Sequence, residues 1–181
     1  MILLLQYTLI FASVLILVAL GGCFAEHSGV INLGLEGIMI MGALGGALTM
    51  RYVPNTAPAI VMLLAVIVVS ALVGMVYSCL LAVASINFKA DQTLVGTALN
   101  LLGTAGATVI VKAINTAANP DDVSSIVQYG GAKSALLVSI GSFEFNWFML
   151  VAFIALVFAY VTLYKTRFGL RLMACGEHPQ A

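Results

Sequence analysis

Between Ala25 and Gly37 the chain reads AEHSGVINLGLEG. Glu26, His27, Ser28, Asn32 and Glu36 therefore sit close together in a sequence that is 62% hydrophobic and 8% charged, with a mean hydropathy of +1.14. A polar group carried into hydrocarbon loses its water and is costly unless it finds a partner. Ionisable residues at membrane depth therefore point to function, as relays for protons or ions or as contacts along a water-filled path. A short loop at the membrane surface is the plain alternative. Acid–base catalysis is a poorer use of the same residues, because neighbours such as Glu26 and His27 point in different directions on a helix. No G-x-x-x-x-G-K-[ST], H-E-x-x-H or G-x-S-x-G pattern occurs, so no catalytic residue is expected. Cys23, Cys79 and Cys175 are widely spaced, with no CxxC or Cys/His cluster. They read as small packing residues, not as a metal site or a disulfide framework. No metal and no cofactor is expected.

The elements that must position these residues are helices. Seven Lys+Arg balance seven Asp+Glu, well below the roughly 25% charge of ordinary domains. Zero net charge leaves no basic patch for nucleic acid. A spanning helix needs about 20 mostly apolar residues, and five stretches qualify: about 2–22, 30–50, 58–86, 92–114 and 147–164. The expected fold class is all-α, a polytopic transmembrane helix bundle of about five spans. The 30–50 span is glycine-rich and open to interruption. No Lys or Arg precedes the first apolar run, so the charged region of a signal peptide is missing and that run reads as a retained span. The one long connection, 115–146, carries Pro120, Asp121, Asp122, Ser124, Ser125, Gly130 and Gly131 and reads as an extramembrane loop. Lys165, Arg167 and Arg171 cluster just after the fifth span, which puts that end in the cytoplasm. Counting back, 87–91 (with Lys89) is internal. The 51–57 connection (with Arg51), the long loop (with Lys133) and the N-terminus are external.

Two faces carry the polar residues. Ser28, Asn32 and Glu36 recur every four residues, the spacing of one helix face. Gly42 and Gly46 form a small-xxx-small pair that admits a neighbouring helix. In the fourth span Thr93, Thr97, Asn100, Thr104 and Thr108 form a second stripe flanked by Gly96 and Gly103. Such a stripe faces protein or water, not lipid. It serves either as helix-packing contacts or as the lining of one polar path shared with the first stripe.

Three segments, in this order and spacing, resemble the nucleoside-type permeases of ABC importers and, more distantly, the ribose-type ones. AEHSGVINLGLEG with the glycine-rich span after it is similar to their signature segment, with His27 where a basic Arg or Lys is common. KADQTLVGTALNLL resembles their next polar-starting helix, with Asp91, Gln92 and Asn100 at matching places. YKTRFGLRLMACGEHPQA resembles the cytoplasmic coupling segment. The resemblance implies a subunit that performs no covalent chemistry and lies in the bacterial cytoplasmic membrane as a multi-pass protein. An extracytoplasmic solute-binding protein would deliver a nucleoside or simple sugar. A second permease subunit would complete the path, and separate ATP-binding subunits would drive it. Carried over residue by residue, Glu26, Ser28, Asn32, Glu36, Asp91, Gln92, Thr97 and Asn100 become the expected substrate path. Arg167, Gly169, Arg171, Gly176 and Glu177 become the expected ATPase-coupling residues, with a tight turn at Gly169. Permeases of this kind are longer, so residues 1–181 are expected to form a single, incomplete transmembrane domain with 165–181 as its coupling segment. The alternative is a secondary transporter or channel half that uses Glu26, Glu36 or Asp91 as relays.

Overall fold

A computed structural model describes residues 2–54, 58–127, 137–140 and 143–178. Gly130, Gly131 and Lys133 of the long connection, and the last three residues of the tail, lie outside the described residues. Six helices and one hairpin follow in the order α1 (Ile2–His27), α2 (Leu35–Tyr52), α3 (Ala59–Ile86), α4 (Gln92–Ala118), β1 (Leu137–Ile140), β2 (Phe143–Asn146), α5 (Trp147–Lys165) and α6 (Arg167–Glu177). Four of them, α1, α3, α4 and α5, are long and apolar enough to cross a membrane. The helix expected from residue 30 begins only at Leu35. At 18 residues, with Glu36 and Arg51 near its ends and five buried positions of which four are glycine, α2 is shorter and less apolar than its neighbours. The chain divides into two units, Met1–Asn32 with Leu136–Ala181, and Leu33–Ala135.

In the first unit α1 lies along α5, and the His27 and Tyr164 rings meet nearly perpendicular with centroids 6.1 Å apart. The C-terminal ends of the two helices are thus side by side. Ala152, Ala159 and Leu163 of α5 are buried. The hairpin pairs Leu137 with Asn146 and Ile140 with Phe143, and Asn146 then caps α5 by accepting from the Phe148 amide at 2.9 Å. α1 runs five residues past its expected end and stops in a Schellman motif. The Val30 amide bonds to Ala25 O (3.1 Å) and the Gly29 amide to Glu26 O (3.0 Å). Gly29 takes φ +79°, the left-handed conformation such a stop requires and glycine adopts without strain.

In the second unit α2 packs against both α3 and α4. Its glycines allow this: a Cβ on Gly46 would lie 2.5 Å from Ser70 Oγ of α3, and one on Gly37 would lie 2.6 Å from Leu99 O of α4. Gly37 neighbours Asn100 and Gly103, while Arg51 at the other end of α2 reaches Asn115. α2 and α4 therefore run in the same direction. α3 runs against them, with Gly74 beside Ile38 and Val66 beside Gly46. Tyr77, Leu81 and Leu99 form a buried cluster backed by Ile38, Met41 and Val95. The Tyr77 hydroxyl donates to Leu99 O at 2.6 Å, as a buried phenol must find an acceptor.

Candidate functional site

The stop at Gly29 changes the reading of the polar motif. Glu26 and His27 close α1, Ser28 is its capping residue, and α2 starts six residues after Gly29. Ser28, Asn32 and Glu36 therefore do not share one helix face. Their four-residue spacing is interrupted by non-helical backbone. Ser28 Oγ donates to Ala25 O (2.6 Å). His27 Nδ1 lies 2.7 Å from Cys23 O, and a carbonyl can only accept, so this nitrogen carries the proton. His27 is thus bonded to its own helix and packed on Tyr164, not paired with Glu26.

The residues expected to couple to an ATPase lie in the same unit. Thr166 alone separates α5 from α6, and its hydroxyl caps α6 by accepting from the Gly169 amide at 3.3 Å. Gly169 is buried, and a Cβ there would collide with the Leu163 carbonyl. The glycine is needed for a close helix corner, not for the tight turn expected: it is helical, and Gly29 is the one glycine with positive φ among the described residues. Gly176 makes the second close approach, where a Cβ would lie 2.5 Å from His27 O and 3.0 Å from Gly29 N. Arg167, Arg171 and Glu177 are exposed. Glu26, His27, Met173, Gly176 and Glu177 line a shallow cleft of about 400 Å³. The structure therefore brings Glu26 together with Gly176 and Glu177, a pairing the sequence reading did not make.

In the second unit Asn100 does the central work. Its Oδ1 accepts from the Gly37 amide (2.8 Å) and its Nδ2 donates to Leu33 O (2.8 Å). Helix α2 has no side-chain cap of its own at Gly34, and its first amides have no intrahelical acceptor. Asn100 supplies that acceptor from α4. Asp91 is likewise engaged: its carboxylate caps α4 by accepting from Thr93 N (2.8 Å) and Leu94 N (3.3 Å). Glu36, Asp91 and Thr97 are exposed, and Gln92 is half-buried. The stripe threonines bond their own helix. Thr97 donates to Thr93 O and Leu94 O, Thr104 to Asn100 O and Thr108 to Thr104 O.

A cluster at the other end of this unit has no counterpart in the sequence reading. Asn115 is 2% exposed. Its Oδ1 accepts from Arg51 at 2.6 Å, and its Nδ2 donates to Ser124 O (3.0 Å) and Ile126 O (2.9 Å). Nearby, the Ser124 amide donates to Asp122 Oδ1 at 3.0 Å. The side-chain and backbone hydrogen bonds from Ser124 hold the Asp122 carboxyl below its usual range, and Arg51 pulls the same way. Arg51 and Asn115 are 64 positions apart; only the parallel course of α2 and α4 joins them. The three cysteines, expected as packing residues, are exposed. Among the described residues no three His, Cys, Asp or Glu side chains gather.

Four long apolar helices, with the Asn100 and Asn115 amides joining neighbouring helices, mark a multi-pass membrane protein. The chain belongs to the family described as branched-chain amino acid transport system / permease component, which matches residues 4–181; this is a family of permease components, not of enzymes. It is similar to the guanosine ABC transporter permease protein NupQ of Bacillus subtilis (37% identical over 180 residues, covering 96% of this chain and 56% of the relative). It is also similar to the nucleoside ABC transporter permease protein NupC of Lactococcus lactis subsp. cremoris (34% over 176 residues, 96% and 55%). A third relative is the putative glucose ABC transporter permease protein TsgC13 of Haloferax volcanii (31% over 188 residues, 98% and 52%). The chain thus spans a little over half the length of these relatives. No solved structure matches it.

Proposed function

We propose that this chain forms the N-terminal part of the permease subunit of an ATP-driven importer that moves nucleosides or simple sugars across the bacterial cytoplasmic membrane. The observation that carries the reading is similarity along 96% of the chain to a permease named for guanosine, in a chain whose Asn100 and Asn115 side chains join neighbouring helices. The solute would arrive from an extracytoplasmic binding protein, and a second permease subunit would complete the path. Separate ATP-binding subunits would engage the cytoplasmic side. Helix α6 suits that engagement. Its Arg167, Phe168, Leu170 and Arg171 are exposed around a buried Gly169, so a partner would meet a mixed basic and apolar surface on a helix held by its own corner. In this reading Gly169 and Gly176 seat α6, and the exposed Arg167, Arg171 and Glu177 make the contact. Of the expected path residues, Asn100 and Asp91 shape the helices around the path, while Glu36 and Thr97 remain open to a solute.

The test is uptake by the whole transporter, reconstituted in proteoliposomes with its ATP-binding and solute-binding partners. Accumulation of radiolabelled guanosine or ribose that requires ATP and persists without a proton gradient supports the reading. Accumulation that follows the proton gradient and ignores ATP overturns it in favour of a secondary transporter.

A further inference from the structure

Between α2 and α4 lies a groove of about 390 Å³, with the segment around Ser125 and Ile126 as its third wall. Its apolar sides include Ile40, Leu44 and Val111, and Thr104 and Thr108 bring the hydroxyls of α4. The volume falls in the roughly 300–1,000 Å³ range of small-molecule sites. None of the described residues that line it is ionisable. Lys112, one turn beyond Thr108, is exposed and is not among them.

The hydroxyls have a definite polarity. A threonine hydroxyl has one hydrogen, and both are already used within the helix: Thr104 Oγ1 donates to Asn100 O at 2.9 Å and Thr108 Oγ1 to Thr104 O at 2.8 Å. What remains on each oxygen is acceptor capacity. A partner for this face must therefore donate hydrogen bonds. A carboxylate or phosphate would meet these two acceptors and, among the described lining residues, no cation; only the Ser125 hydroxyl could donate to it, too little to offset the desolvation of a full charge. The third wall is fixed independently, because buried Asn115 holds Ile126 O at 2.9 Å and Ser124 O at 3.0 Å.

We infer that this groove is a subsite for an uncharged solute rich in hydrogen-bond donors, a nucleoside or sugar, with Thr104 and Thr108 accepting from its hydroxyl or amino groups and the aliphatic wall covering its apolar face. The inference rests on the transport reading above and deepens it: within a family described by branched-chain amino acids, it selects against a zwitterion and against a nucleotide.

The experiment uses the complete transporter, with Cys23, Cys79 and Cys175 replaced by serine and Ala107→Cys placed in the groove wall. Thiol labelling at position 107 should slow about tenfold or more in saturating guanosine and remain unchanged in guanosine monophosphate or leucine. In uptake, the Thr104→Val/Thr108→Val double variant should raise the KM for guanosine roughly tenfold, as losing two neutral hydrogen bonds implies, with kcat within about twofold. Thr104→Ser/Thr108→Ser, which keeps both acceptors, should restore KM. Equal protection by the monophosphate, no protection by guanosine, or an unchanged KM in the valine variant overturns the subsite. Protection by guanosine in a complex that shows no ATP-driven uptake would instead overturn the transport reading and leave the subsite standing.

Discussion

Replacing Asn100 by leucine separates a structural staple from a surface polar residue. The substitution keeps the branched shape, at somewhat larger volume, and removes two hydrogen bonds. The Leu33 carbonyl loses a neutral donor, worth about 1 kcal/mol net, and the buried Gly37 amide is stranded at about 1–3 kcal/mol. Asn100 is itself half-buried, so the lower half of that range applies, roughly 2–3 kcal/mol in all. For a chain of this size each kcal/mol moves Tm by about 2–4 °C, which predicts a fall of roughly 5–10 °C. Thr97→Val is the control. Thr97 is exposed and bonds only to carbonyls of its own helix, so its loss should move Tm by no more than about 2 °C. The assay is thermal unfolding of the detergent-solubilised transporter, followed by tryptophan or dye fluorescence. Equal shifts for the two variants would refute the staple. The carboxylate variant Asn100→Asp keeps the acceptor for Gly37 but sets an anion against the Leu33 carbonyl, and should be no better than leucine at neutral pH.

Other predictions follow from contacts at the two ends. Gly169→Val should abolish a stable α5–α6 corner, seen as protease sensitivity after Lys165 in the purified protein, whereas Arg171→Ala should leave the corner intact and give a salt-sensitive loss of ATPase-coupled uptake. For topology, a cysteine at exposed Ser125 should react with an impermeant external thiol reagent and one at exposed Arg171 should not. Reversed labelling would overturn the orientation. For Asp122 the folded pKa is lowered, so its contribution to loop order is present above the ordinary carboxylate value of about 3.9 and is lost as pH falls through the lowered value. The protection factor of the Ser124 amide should drop across that acidic window, and an Asp122→Asn variant should show no such drop.

The helices were legible because hydropathy and length are local properties: four of the five expected stretches return with starts within a residue or two. The stop of α1 was also written in the chain, as Ser28-Gly29-Val30 after an apolar run, yet the polar cluster around it read as the opening of the next helix. Asp91 shows the same ambiguity. Its position one residue before Gln92 is an N-cap by chemistry, and a carboxylate beside an apolar helix equally suggests a path. What no local pattern held is pairing at a distance. Asn100 and Gly37, or Arg51 and Asn115, meet because glycines let α2 lie close along α4 in the same direction. The value of each amide depends on which carbonyl or amide that approach exposes. At Gly169 the expected tight turn gives way to a helix corner, since crowding at the Leu163 carbonyl is invisible in sequence.

Helix α6 is about 16 Å long at 1.5 Å per residue, and it is clasped at both ends. Gly169 locks its beginning against Leu163 of α5, and Gly176 locks its end against the turn at His27 and Gly29 that finishes α1. A rod hinged at one end can swivel and dissipate a push, but a rod held at both ends has no free stroke. Any displacement imposed along α6 is delivered to the last turns of two long helices together, and neither can yield without lifting a glycine from the carbonyl it rests on.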